Sequence, residues 1–343
     1  MHGTNGLNPK TSFRIYKIYV LPRFLYGLAS NILQPKQIDT LEREHRGVLR
    51  KIQGLPRYTA TCAIYLLLGA LPFEGLYHLS QLSLLNSILH SGNMKVINLC
   101  QRQLAVKDYN SRSWFVTISK ILQMYNLPTI NYLLTTTNSK VQLKMMFKQK
   151  VTQYWSSKLL QDAQDKSTLQ YLALPPLNTN DCHPLWSTAA NNIHDVKRAF
   201  IKAKLATGTM LLQDRQYKFG LSDTPTCQLC RTEKEDVLHF LKTCPALYFA
   251  RERNLNRIKA TVVQNASIET WQSIANDDNC LIQLLIDCTK LDILVGTQCD
   301  NSVIERFSRL YCASLFETRA RMLDEVTQKK KKNQKNQTKQ KHK

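Results

Sequence analysis

Acidic side chains are scarce in this sequence. Against 47 Lys and Arg there are only 25 Asp and Glu, a formal charge of +22 with a pI near 9.6, which disfavours cationic ligands and points to a polyanionic partner. Glycine and proline number only 11 each in 343 residues, too few for a collagen-like or low-complexity chain, and the length suits two or three domains. Long hydrophobic runs are missing too. The longest uncharged apolar stretch, Cys62 to Phe73, has 12 residues and is broken by Gly69 and Pro72, where a bilayer span needs about 20. It reads as buried core, and no membrane partner is expected. Strand-like alternation of β-branched residues is sparse, so the expected fold is all-α, a multi-helix array. No signal peptide opens the chain, and three of the ten Cys belong to a metal pattern. A reducing intracellular compartment, nuclear or cytoplasmic, is therefore expected, and secretion is not.

That metal pattern is Cys227-Gln-Leu-Cys230 followed by His239 and Cys244, of the form C-x2-C-x8-H-x4-C. Cys227 and Cys230 can hold a tetrahedral ion from one tight turn. His239 and Cys244 close the set from a segment whose Val237, Leu238, Phe240 and Leu241 suggest a short amphipathic helix. Pro225 and Pro245 bracket the site as turn and helix-start signals. Three thiolates and one imidazole make a closed set for one structural Zn2+, leaving no position for water or substrate.

Cations gather on helical patterns along the chain. Met1 to Thr11 offers no cap, so residues 1–12 are expected to be a disordered start and the chain a fragment of something longer. Phe13 to Leu28 mixes apolar and basic residues and is interrupted by Pro22, which predicts a kinked or paired helix. From Pro35 a stripe of Ile38, Leu41, Val48, Leu49 and Ile52 runs to Gly54, and its outer faces carry Arg43, Arg46, Arg50 and Lys51. A leucine stripe at Leu79, Leu82, Leu85 and Leu89 reads as core. Leu174-Pro-Pro-Leu177 and Asn178 to Asp181 read as a linker, placing a boundary at 175–188 between a helical region, 13–175, and a helical domain, 188–328. Cys182-His183 in that linker has no assigned role. The next amphipathic helix, from Asn191 to Gly208, sets Lys197, Arg198, Lys202 and Lys204 around the apolar face of Ile193, Val196, Phe200 and Ala203. Arg215, Tyr217, Lys218 and Phe219 then interleave cations with rings just before the metal turn, a composition suited to phosphate neutralisation and base stacking. Solvated charge and rings packed on the metal loop are the plainer alternatives. Arg306, Arg309, Arg319 and Arg321 decorate the last helix. From Lys329 to Lys343 there are eight Lys and no acid, so the rest of the chain still carries +14. This run, 329–343, lacks apolar residues and is expected to be a disordered basic tail.

A resemblance rests on specific stretches. Lys204 to Phe219 reads K-L-A-T-G-T-M-L-L-Q-D-R-Q-Y-K-F, then come C-Q-L-C and E-D-V-L-H-F-L, and C-P-A-L-Y-F-A-R-E-R begins at Cys244. Nearer the start stand Y-K-I-Y-V-L-P-R-F-L-Y-G-L from Tyr16 and I-D-T-L-E-R-E-H-R-G-V-L-R-K-I-Q-G-L-P from Ile38. In these stretches, residues 13–90 and 195–325, the chain resembles the carboxy-terminal part of a non-LTR (LINE-type) retrotransposon reverse transcriptase polyprotein, with its thumb-like region, connector and CCHC zinc knuckle. The resemblance implies helices that grip template and primer and a knuckle that engages nucleic acid at the target site.

Where catalysis is concerned the sequence departs from that family. It has no Tyr/Phe-x-Asp-Asp turn to hold two metals, and Asp277-Asp278 reads as a loop or helix cap. The P-D…D…K set of an accompanying endonuclease lacks its Pro-Asp, although Asp287, Lys290 and Asp292 cluster. No Gly-x-Ser-x-Gly elbow announces a nucleophile. The expectation is a truncated retrotransposon-derived protein that binds RNA or DNA and is not an enzyme. Its polymerase palm is expected upstream of Met1, or in a reverse transcriptase supplied by a full-length element. The residues leave open a residual Mg-dependent endonuclease built from Asp278, Asp287 and Lys290, a zinc-stabilised protein-interaction scaffold, and a decayed gene product.

Overall fold

The first helix, α1 (Pro9–Ile15), starts where Asn8 accepts from the Lys10 N–H at 2.8 Å and Pro9 takes the first position, whose N–H would have no partner anyway. The Asn8 amide also donates to the Trp186 carbonyl at 2.9 Å, so the segment is tied down far along the chain. Residues 9–12 are therefore helical, which corrects the expected disordered start. The computed structural model describes residues 7–341 apart from residues 137, 180, 292, 293 and 295–299. Residues 1–6 of that start lie outside the described residues.

A π-helical turn, Tyr16–Val20, separates α1 from α2 (Leu21–Leu25), where Pro22 stands in the first turn. The bend expected at Pro22 takes this form because a proline cannot complete the preceding helical ladder. Then follow α3 (Pro35–Ile52), α4 (Thr61–Leu68), α5 (Phe73–Leu89), α6 (Met94–Val106), α7 (Trp114–Met124), α8 (Ile130–Thr135) and α9 (Lys140–Gln164). Ser139 and Gln142 cap α9 reciprocally, at 3.2 and 3.0 Å. The second half holds α10 (Pro184–Ser187), α11 (Ile193–Ala206), α12 (Gln213–Lys218), α13 (Tyr248–Asn265), α14 (Ile268–Asn276), α15 (Asp278–Asp287) and α16 (Asn301–Lys341). Among the described residues there is no strand, and Thr226 and Lys234 form an isolated antiparallel bridge. The fold is all-α.

One buried cluster runs without a break from Phe13 to Leu315. Its centre is the Cys62 to Phe73 stretch, buried throughout. No single helix is long and apolar enough to cross a membrane; α4 and α5 together meet at 53°. Gly69, with φ +61°, ends α4, and a Cβ there would sit 2.1 Å from the Asn178 carbonyl oxygen. Only glycine lets that loop lie on the helix end. His183 then donates its N–H to the Leu67 carbonyl at 2.9 Å, and Leu177, Leu185 and Trp186 are buried. The stretch read as a linker is thus packed into the core. Its prolines do prevent a helix, but its leucines still seek burial.

Helix α16 gathers the second half around it, and it does so with charges. Lys202, expected among phosphate-facing cations, is fully buried, 2.7 Å from Glu305 and 2.5 Å from the Ser308 hydroxyl. Arg309 is buried against Asp195 at 3.2 Å and donates to the Thr188 hydroxyl at 2.6 Å. Arg319 forks onto Glu235 at 2.7 and 2.6 Å. Lys202, Arg309 and Arg319 are therefore removed from the surface, because each meets a carboxylate that helical periodicity cannot place beside it. The expected disordered tail is not confirmed. The α16 backbone stays helical through Lys341. From Lys329 on there is no Gly or Pro, and Lys and Gln readily extend a helix that is already nucleated.

Breaking one buried pair leaves an uncompensated charge, which costs about 3–5 kcal/mol, whereas an apolar pair of similar volume is close to neutral. Urea unfolding of Glu305→Leu is expected to show a loss of that size, and Lys202→Met/Glu305→Leu to recover most of it. Equal stability of the single variant and the native chain contradicts the ion-pair assignment.

Candidate metal centre and the basic surfaces beside it

The segment Cys227–Glu233 folds back on itself. The Cys227 N–H donates to the Glu233 carbonyl at 2.7 Å and the Arg231 N–H to the Cys227 carbonyl at 2.9 Å, which holds Arg231 in the left-handed region at φ +59°. The Thr232 hydroxyl reaches Cys230 Sγ at 3.2 Å. A π-helical turn, His239–Thr243, then brings the imidazole and Cys244 to the same point.

The four donor atoms all lie within 4.8 Å of one another. Cys227 Sγ is 3.9 Å from Cys244 Sγ, and Cys230 Sγ is 3.4 Å from His239 Nε2. A tetrahedral ion bound at about 2.3 Å to sulfur and about 2.0 Å to nitrogen has edges of about 3.8 and 3.5 Å. The cluster therefore fits such an ion. His239 Nδ1 lies 2.9 Å from the Glu233 carboxylate, an outer hydrogen bond that leaves Nε2 for the ion. Without metal, the hydrogen bond to Cys244 and then burial push the Cys227 thiol up to about 12, and the same bond lowers Cys244. Burial opposes protonation of His239, yet Glu233 and the neighbouring thiols raise its pKa overall. Among the described residues no other group of three or more His, Cys, Asp or Glu side chains converges in this way.

Beneath the cluster lies Glu235, which sequence reasoning passed over. Besides Arg319, its carboxylate accepts the Gln213 N–H at 2.8 Å and lies 3.9 Å from Cys227 Sγ. One buried side chain thus joins the metal turn, the start of α12 and α16. No spacing rule marks it, since its partners come from 22 and 84 residues away.

The Asp278, Asp287 and Lys290 trio goes elsewhere. Asp278 pairs with Lys242, and Asp277 caps α15 through the Asn279 N–H at 2.8 Å. Asp287 is buried beside His183 at 3.2 Å and accepts from the Ala173 N–H at 2.7 Å and the Thr289 hydroxyl at 2.6 Å. Burial raises its pKa, but these bonds outweigh burial and hold the carboxyl below its ordinary value. Lys290 donates to the Gln170 carbonyl at 2.5 Å. Asp292 lies outside the described residues.

Of the basic residues, Arg43 and Lys51 are exposed on α3, with Arg46 and Arg50 half-buried. Arg43 leans on its own helix, 3.3 Å from the Asp39 carbonyl. On α11, Lys197 is exposed, Arg198 and Lys204 are half-buried, and Lys202 is lost to the core. Lys218 pairs with Asp214 at 2.9 Å. Arg215 lies over a pair of rings, with its guanidinium 5.1 Å from the centre of Phe219 and 5.7 Å from that of Tyr58, and the two rings pack edge to face with centres 5.6 Å apart. Tyr58 comes from the α3–α4 loop, and its hydroxyl donates to the Thr209 carbonyl at 3.0 Å. A ring directly after Pro56-Arg57 was the available signal for it. Tyr217 is exposed nearby in sequence.

Titration with Co2+ is expected to give thiolate charge-transfer bands and the intense visible absorption of a tetrahedral site. Cys230→Ser and His239→Ala should each weaken or alter them, and unchanged spectra contradict the assignment of these donors. No protein-family model matches the chain, and neither the curated proteins nor the solved structures provide a match.

Proposed function

We propose that this chain is a retrotransposon-derived protein that binds single-stranded RNA or DNA, with a structural Zn2+ in the Cys227, Cys230, His239 and Cys244 cluster. One observation carries the reading. The Arg215 guanidinium lies over the Tyr58 and Phe219 rings, which pack edge to face and belong to residues that remain 45% and 47% exposed. Rings that served only to pack the metal loop would be covered. Half-open rings with a cation beside them provide a stacking face and a phosphate contact together. The start of α12 is fixed through the Gln213 N–H on Glu235, so the metal turn sets where this platform stands. The net charge supports the same reading, since the chain before Lys329 carries +14.

Three thiolates and an imidazole favour Zn2+ over harder cations, and with all four positions taken by protein the ion organises the fold. Binding is then an equilibrium property of the surface: cations displace counterions from phosphates, and the rings stack on unpaired bases.

Purified protein should contain about one zinc per chain, the content of a single closed site. Arg215→Gln/Phe219→Ala should weaken binding to a fluorescein-labelled single strand by about 1–3 kcal/mol, the usual size of one base-stacking contact. Fluorescence anisotropy measures it. Native-like affinity in the double variant removes the platform from the account.

A further inference from the structure

A basic surface elsewhere shares no lining residue with the hollow beside Arg215 and Phe219. On α13, Phe249, Arg253 and Arg257 recur at four-residue intervals, so they stand along one face about 6 Å apart. Arg198 of α11 and Arg321 of α16 line the same open groove, whose volume is about 480 Å3. Ala313 and Ser314 of α16 also line it, and their short side chains keep it open.

The charge in this groove is one-sided. Four guanidinium groups meet one carboxylate, Glu317, and among the described residues none of the four makes an ion pair. The contrast with Arg309 and Arg319 is direct, since those arginines are saturated by carboxylates. Phe249 adds a large apolar ring that is 84% exposed. A groove of unpaired guanidiniums beside an open ring matches a polymer that alternates phosphates with flat bases.

We propose that this groove is a second, separate contact for a single nucleic-acid strand. Arg198, Arg253, Arg257 and Arg321 neutralise its phosphates, and Phe249 stacks on one base. The inference rests on the nucleic-acid reading above and adds to it a contact on the α11, α13 and α16 face. A free phosphate shares part of this chemistry but has no use for the ring.

The test titrates full-length protein into fluorescein-labelled oligothymidylate across a salt series, using the native chain, Arg253→Gln/Arg257→Gln, Phe249→Ala and Arg215→Gln/Phe219→Ala. Melting followed by circular dichroism checks that the variants are folded; the substituted α13 side chains are exposed. The arginine pair is expected to lose about tenfold in affinity at low salt and to reduce the slope of log affinity against log salt by about 1.4, two contacts at about 0.7 each. Phe249→Ala should weaken binding severalfold at an unchanged slope. If both groove variants bind as the native chain does while Arg215→Gln/Phe219→Ala is weakened, the groove assignment falls and the platform reading stands. If the native chain does not bind, both fall. If inorganic phosphate displaces the strand more effectively than chloride at equal ionic strength, the groove is a small-anion site and the strand assignment is overturned.

Discussion

The fork between Arg319 and Glu235 is the contact on which the second half of the molecule turns. It is a buried, two-point charge pair at 2.7 and 2.6 Å, strong in place and costly to break. Glu235 lies under the Cys227 sulfur and also holds the start of α12. A single carboxylate therefore couples the metal turn, the helix carrying Arg215 and the long α16. Lys202 with Glu305, and Arg309 with Asp195, repeat the device along α16, so that helix is registered by three charge pairs as well as by apolar packing.

What could be read from the sequence was whatever depended on near neighbours. The metal donors are spaced within 18 residues, and the turn that gathers them is local, so their convergence followed from the pattern. The all-α architecture followed from helical periodicity in the same way. The buried cations did not, because Lys202 and Glu305 are 103 positions apart and a lysine on a helix reads as solvated until its partner is known. Residues 175–188 misled for a related reason. Prolines announce the lack of a helix, not exposure, and Gly69 with the Leu67 carbonyl draws the segment inward. Glu235 was invisible because it acts through neighbours supplied by tertiary contact, and Tyr58 was marked only by its place after Pro56-Arg57.

The structure also changes what the net charge means. Some of the cations that made the sequence look uniformly basic are spent on the interior, so the surface is less evenly positive than composition suggests. Among the cations left at the surface, Arg215 stands beside half-open rings, and Arg253 and Arg257 share a face with Phe249. Both arrangements place a cation beside an open aromatic ring, and the proposed single-strand binding rests on this pairing more than on total charge. The Cys227, Cys230, His239 and Cys244 cluster takes no chemical part in this account. Its turn, through Glu235, fixes the backbone from which the ring platform stands.

The central claim is that the folded body binds nucleic acid, independently of the Lys-rich run from Lys329. The most direct measurement is the salt dependence of single-strand affinity for the zinc-loaded chain ending at residue 328. The account predicts retained binding whose log affinity falls with log salt at about 0.7 per phosphate contact, with several contacts in force. Complete loss of binding on removing residues 329–343, with the metal centre and the melting transition unchanged, would contradict it.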